Sequence, residues 1–248
     1  MIKLITRYIL LAMILAGCTF EPPGVPVNDT GSDVSGRQPP DSQAPATNAC
    51  GLDAAQLRAS NNATIGSGSR EYVIGNVEIE AGNLDPYVAR LNGSAVLWCA
   101  IYSRASTGQT GEHVSLAADG TPWVVFHTST NDPGLTATEG AYQSSIVGIG
   151  NETISYLARL GPDNGAIEAG TFVHSYDKNR RARELLIRSV HLTGGGGPVV
   201  VQADAARTPP PFSRDDCSDK NTLDWTGTFN PDLTQLLGAS SNDCQLDD

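Results

Sequence analysis

The chain has 248 residues, a formal net charge of −11, only 17% charged residues, 26 glycines and 15 prolines. Such an acidic chain repels nucleic acid and anionic lipid surfaces, so its own field excludes both as partners. Few charges and many turn formers fit an all-β protein better than a helical one.

Lys3 and Arg7 precede the uncharged apolar run Ile9 to Leu15, and the small residues Ala16 and Gly17 precede Cys18. This is the three-part pattern of a secretory signal. The run falls short of the roughly 20 apolar residues that a membrane span requires. Leu15-Ala16-Gly17-Cys18 resembles the lipobox of bacterial lipoproteins. The resemblance implies that residues 1–17 are removed and that Cys18 becomes a lipidated N-terminus carrying acyl chains such as palmitate. Several chains on one residue exceed the two signals that stable anchoring needs. Thr19 is not the aspartate that retains many lipoproteins at the inner membrane. The implied address is the cell envelope, with the outer membrane favoured and the bilayer as first partner.

Residues 18–49 form the tether. Thr19 to Ala49 holds six prolines with abundant Gly, Ser, Asp and Gln, and no Leu, Ile, Met, Tyr or Trp. Such a segment buries too little apolar surface to offset its ordering entropy. As a coil it spans roughly 30 Å. Residues 50–248 change character, with Tyr, Trp, Val and Ile in short runs, and form the folded domain.

Setting Cys18 aside leaves Cys50, Cys99, Cys217 and Cys244. An even number in an exported chain points to two disulfides, with three connectivities open. Cys217–Cys244 closes a local loop and leaves Cys50–Cys99; a Cys50–Cys244 staple is the alternative. No Cys-x-x-Cys or paired Cys/His spacing suggests a metal site, and no cofactor is expected.

The domain repeats itself. Tyr87-Val-Ala-Arg-Leu91 recurs as Tyr156-Leu-Ala-Arg-Leu160, and an equal step reaches Trp225-Thr-Gly-Thr-Phe229. Asn92-Gly93-Ser94, Gly161-Pro162-Asp163 and Asn230-Pro231-Asp232 follow at equivalent places. A second anchor, Leu116 to Val125, matches Leu192 to Val201, with Val199 as the counterpart of Trp123; Glu71 to Gly75 is the earlier copy. Such self-similarity signals a repeat architecture. The central copy reads as four strands: Ala95 to Tyr102, Gly111 to Leu116, Pro122 to Phe126 and Ile154 to Leu160. Asp177 to Arg188 reads as one or two helical turns. The motifs resemble the bacterial β-propeller repeat called SBBP, carried by Tyr87 to Leu91, Ala118 to Val125, Thr128 to Pro133, Gly140 to Gln143, Tyr156 to Asp163 and Phe229 to Asp232. The expected fold is all-β, a propeller-like array of about three four-stranded repeats. The alternatives are a three-fold β-prism, a β-trefoil or a β-sandwich. Propellers usually have 4–8 blades, so three copies imply either an open fan or a ring closed by a homo-dimer.

Catalytic signatures are sparse. His113, His127, His174 and His191 do not pair at ligand spacing, although His113 and His127 lie on adjacent strands. There is no G-x-S-x-G elbow, P-loop or H-E-x-x-H. Gly194 to Gly197 reads as a turn. Asp215, Asp219 and Asn221 alternate like calcium ligands but lack the glycine and terminal glutamate of an EF-hand, so they read as a solvated acidic loop. Trp98, Trp123 and Trp225 fall in strands and read as packing residues. Glu139, Glu152, Glu168 and Glu184 sit in unlike contexts, and no pair stands out for glycosidic chemistry. The ligand-binding expectation therefore falls on two loops. Thr128, Asn131, Asp132 and Tyr142 belong to one; the basic residues Lys178, Arg180, Arg181 and Arg183 belong to the other. The expected function is a non-catalytic binding or scaffold module for an envelope protein or polysaccharide. The alternative is a polysaccharide-active envelope hydrolase or lyase, which requires clustered carboxylates and a perturbed His113 or His127.

Overall fold

The computed structural model describes residues 49–66, 70–80, 82–102, 109–129, 135–146, 152–193, 196–213, 217 and 222–244. The leader, Cys18, the tether through residue 48, Asn131, Asp132, Asp215, Asp219 and Asn221 lie outside them.

Three four-stranded antiparallel meanders follow one another along the chain. The first sheet contains β1 (Asn61–Ile65), β2 (Glu71–Glu80), β3 (Asn83–Asn92) and β4 (Ala95–Ile101). The second contains β5 (Thr110–Leu116), β6 (Pro122–Ser129), β7 (Thr153–Leu160) and β8 (Ile167–Val173). A small hairpin of β9 (Ser175–Tyr176) and β10 (Ala182–Arg183) leads to the third sheet. That sheet contains β11 (Leu185–Leu192), β12 (Val199–Ala205), β13 (Leu223–Phe229) and β14 (Leu236–Ser240). One parallel bridge, Leu185 to Ile154, joins the second and third sheets. Ser155 secures that join: its hydroxyl donates to the Leu185 carbonyl and accepts from the Ile187 amide.

Two expectations need correction. Ala95–Ile101 does not open the central repeat; it is the outer strand of the first sheet, and Ile167–Val173 completes the second. The reason lies in the turn. Only Gly93 and Ser94 separate β3 from β4, and Gly93 takes φ 59°. So short a connection allows only an antiparallel neighbour. The stretch from Asp177 to Arg188 is not helical. Asp177 accepts the Asn179 and Arg181 amides, and Arg180 takes φ 58°, so a tight turn forms between strands.

The sheets stack face to face, the first on the second and the second on the third. The first sheet presents Tyr72, Ile74 and Val88 to Val124, Phe126, Tyr156 and Leu160 of the second. The second presents Trp123, Val125, Leu157 and Ala169 to Val199, Val201, Ala203 and Trp225 of the third. The open face of the first sheet is covered by α1 (Ala54–Ala59), whose Ala54 and Leu57 bury against Val73, Tyr87 and Leu91. Asp53 and Gln56 form a capping box that starts this helix. Disulfide Cys50–Cys99 ties its approach to β4. The second disulfide, Cys217–Cys244, lies just beyond β14. Both pairings match the favoured expectation.

An arginine clasp recurs between layers. Arg90 on β3 donates to the Pro162 carbonyl at 2.8 Å and pairs with Asp163 at 3.2 Å. Arg159 on β7 donates to the Pro231 carbonyl at 3.1 Å and pairs with Asp232 at 3.2 Å. Each sheet's arginine thus grips the β-turn of the next copy. The first turn receives its arginine from outside the repeats: Arg58 of α1 donates to the Gly93 carbonyl at 2.7 Å and forks onto Glu71.

The forward faces lose this machinery in order. Strand register makes Arg90, Arg159 and Thr228 equivalent, with Tyr72, Trp123 and Val200 beside them on one side. Trp98, Ala169 and Gly238 stand on the other side. Val200, not Val199, is therefore the counterpart of Trp123. The third sheet's outer face, with Val200, Gln202, Thr226 and Thr228, is half-buried to exposed and largely polar. A polar outer face is how a repeat array ends. The motif aromatics share a different task. Tyr87, Tyr156 and Trp225 lie over Gly75, Gly170 and Gly227, where an added Cβ would meet each ring within 2.7 Å.

Candidate functional site

The two loops expected to bind ligand are largely engaged in structure. Thr128 is 1% exposed within β6 and pairs with Ile154. Tyr142 packs edge-on against Phe229 at 5.7 Å, and its amide donates to the Leu233 carbonyl. In the β9–β10 turn, Arg181 and Arg183 both donate to Asp177 at 2.9 Å, and Arg183 also reaches Glu152. Burial alone would raise the Asp177 carboxyl, but two backbone amides and two guanidinia outweigh it and hold Asp177 well below the usual carboxylate range. What stays exposed is the tip, Lys178 and Arg180.

The histidines separate into three settings. His113 and His127 lie on adjacent strands near Glu112 of β5: His127 Nδ1 lies 3.6 Å from Glu112 Oε1. Burial lowers both imidazoles, and the Glu112 charge opposes it in each; at His127 the His113 ring adds to the lowering, and the Ile187 backbone opposes it. His174 is 1% exposed, packed edge-on at 4.8 Å against Tyr176, and lowered by burial. His191 lies at the surface within 3.2 Å of the Ser189 hydroxyl. The expected carboxylates are dispersed. Glu152 pairs with Arg183 and Glu168 with Arg159, Glu139 lies in an exposed turn, and Glu184 precedes β11. Among the described residues no group of three or more His, Cys, Asp or Glu is placed to hold a metal ion.

The tryptophans act in packing. Trp225 is 1% exposed and donates to the Pro210 carbonyl at 2.7 Å. Trp98 donates to the Pro162 carbonyl at 2.9 Å, beside Arg90 in the first junction.

Two concavities among the described residues flank the third sheet. One, of about 360 Å³, opens on the outer face of the third sheet, bordered by Arg188, Gln202, Asp224, Thr226 and Ser240. Its guanidinium is held between Asp204 at 3.2 Å and Asp224 at 2.9 Å. The other, of about 240 Å³, lies in the junction of the second and third sheets, between Trp123, Arg159, Glu168 and Pro231. Motif reading missed this second one, although Arg159 and Pro231 both stand in the quoted repeats. The signal was their constant separation, shared with Arg90 and Pro162.

Comparison with known proteins adds little. No family model and no curated protein matches the chain. Among solved structures, a thermostable family-43 glycoside hydrolase is similar to it with a TM-score of 0.38 and 12% identity. The match covers 71% of this chain and 50% of that one, so this chain spans about half the enzyme's length.

Proposed function

We propose that this protein is a non-catalytic binding or scaffold module, held to the cell envelope through a lipidated Cys18 and presented on the tether of residues 18–49. The observation that carries it is the commitment of charged side chains to struts within and between sheets. Arg58, Arg90, Arg159, Arg183 and Arg188 all pair with carboxylates in this way. The two disulfides support an oxidising, extracytoplasmic compartment. Three successive four-stranded meanders support the propeller-like array. The helix over the first face and the polar outer face of the last support a self-contained fan in place of a ring closed by two chains.

The anchor and the binding tip are tested separately. Cys18→Ala moves the protein from the membrane to the soluble fraction or blocks its processing; normal processing with full membrane retention refutes the anchor. A photo-crosslinking side chain at position 178 or 180, introduced in intact cells, gives a discrete adduct that the same group at Gln56 does not. Identical patterns at all three positions refute a binding role for the tip.

A further inference from the structure

The two junctions follow one plan and differ in the side chains that flank the arginine. In the first, the Trp98 indole fills the space beside Arg90 and holds the Pro162 carbonyl, and Tyr102 donates to the Gly165 carbonyl at 2.6 Å. The fit is close enough that a Cβ on Gly165 would fall 2.7 Å from the indole. In the second junction Ala169 holds the register position of Trp98, and a cavity of about 240 Å³ opens beside Arg159 and Pro231.

Its lining is mixed. Trp123, Leu192 and Pro231 supply apolar wall, while Asp119, Thr121, Arg159 and Glu168 supply polar groups. Arg159 Nε is buried and makes no hydrogen bond; Glu168 Oε2 stands 3.4 Å away as an ion pair only. Arg159, the cation in the lining, is already shared by Asp232 and Glu168 and offers no uncompensated positive charge. An anionic ligand is disfavoured. Carboxylates accept hydroxyl protons, a guanidinium donates, and an aromatic wall receives C–H groups. The volume is below the roughly 300–1,000 Å³ of drug-sized pockets, the scale of one small ring.

We propose that this cavity binds a single ring of a neutral saccharide. The inference rests on the binding-module reading and names its ligand class. Saturation-transfer NMR on the full folded domain tests it, with glucose, galactose, mannose and N-acetylglucosamine as probes at concentrations around 10 mM, since single-ring sites bind in the range of about 1 mM. At least one sugar receives saturation through its ring protons. Ala169→Trp supplies the indole that the first junction already accommodates; it abolishes the transfer and leaves the melting temperature unchanged or higher. Glu168→Gln, at a half-exposed side chain, weakens binding at least threefold without unfolding, and it decides the matter if the tryptophan variant fails to fold. No transfer to any of the four sugars overturns the proposal, as does equal binding by wild type and both variants. Either failure leaves the crosslinking result at the tip untouched, and failure at the tip leaves this cavity untouched.

Discussion

Replacing Arg159 with alanine measures what holds the second and third sheets together. The side chain is 25% exposed and makes three contacts: the Pro231 carbonyl, Asp232 and Glu168. A hydrogen bond from a charged donor to a backbone carbonyl contributes about 1.5–2 kcal/mol. The carboxylates of Asp232 and Glu168 are 71% and 46% exposed, so water and salt screen them and together they add less than about 1 kcal/mol. The expected loss is about 2–3 kcal/mol. For a domain of this size that corresponds to a fall of about 5–10 °C in melting temperature. Calorimetry of the isolated domain reads it directly. Three controls separate the parts. Arg159→Lys keeps the charge but loses the planar fork, and loses most of the stability as well. Asp232→Ala costs under about 1 kcal/mol. Salt at 0.5 M, where screening acts within about 4 Å, removes only the ion-pair share. A loss below about 0.5 kcal/mol, or one that disappears in salt, refutes the clasp as the tie between layers.

Other outcomes follow from the same packing. Reducing both disulfides lowers stability markedly: closure of separations of 49 and 27 residues corresponds to about 4 and 3.5 kcal/mol on the chain-entropy account. Urea unfolding with and without reductant checks this, and coincident curves contradict it. His113, His127 and His174 are lowered by burial, so the unfolded chain binds their protons more readily. Stability is therefore flat above about pH 7 and falls as pH drops through about 6.5, the unfolded histidine value. Urea midpoints between pH 8 and about 5 follow this, above the range where Asp and Glu titrate; His127→Gln flattens the slope, and a midpoint constant to pH 5 refutes the assignment. Gly170→Ala drives a methyl into the Tyr156 ring and costs about 1–3 kcal/mol, whereas Gly238→Ala, with nothing within 4 Å, costs little. Equal melting temperatures for these two variants contradict the close approach.

The repeats were legible because each copy must solve one packing problem with similar residues. Tyr87, Tyr156 and Trp225 each cover a glycine, and Leu91, Leu160 and Phe229 each bury toward the preceding layer. Phase was less legible. Ala95 to Tyr102 has the apolar content of any strand, and only the brevity of Gly93-Ser94 binds it to β3. The Asp177 to Arg188 stretch carries helix formers, yet one carboxylate accepting four donors holds a turn there instead. Side-chain partners across layers were not legible at all. Pattern reading treated Lys178 to Arg183 as one basic patch because it could not see Asp177 and Glu152 divide it. Ala169 looks like any strand residue, and only register shows that it stands where Trp98 stands one layer earlier.

The clasp gives the stack a direction of growth. Arg58 acts as an initiator, since it grips a turn without belonging to a repeat. The first and second sheets each offer a turn and extend an arginine, and the second does so with a repeat on either side. The third receives but, with Thr228 and Gly238 in the key positions, passes nothing on, and so terminates the series. Tandem duplication of the second unit would therefore add a layer that meets the third as before and offers its Pro162 turn to the Arg159 of its twin. Duplication of the third would add one with nothing to hold it. Layer number in this architecture is a quantity that a genome can raise by copying an internal segment.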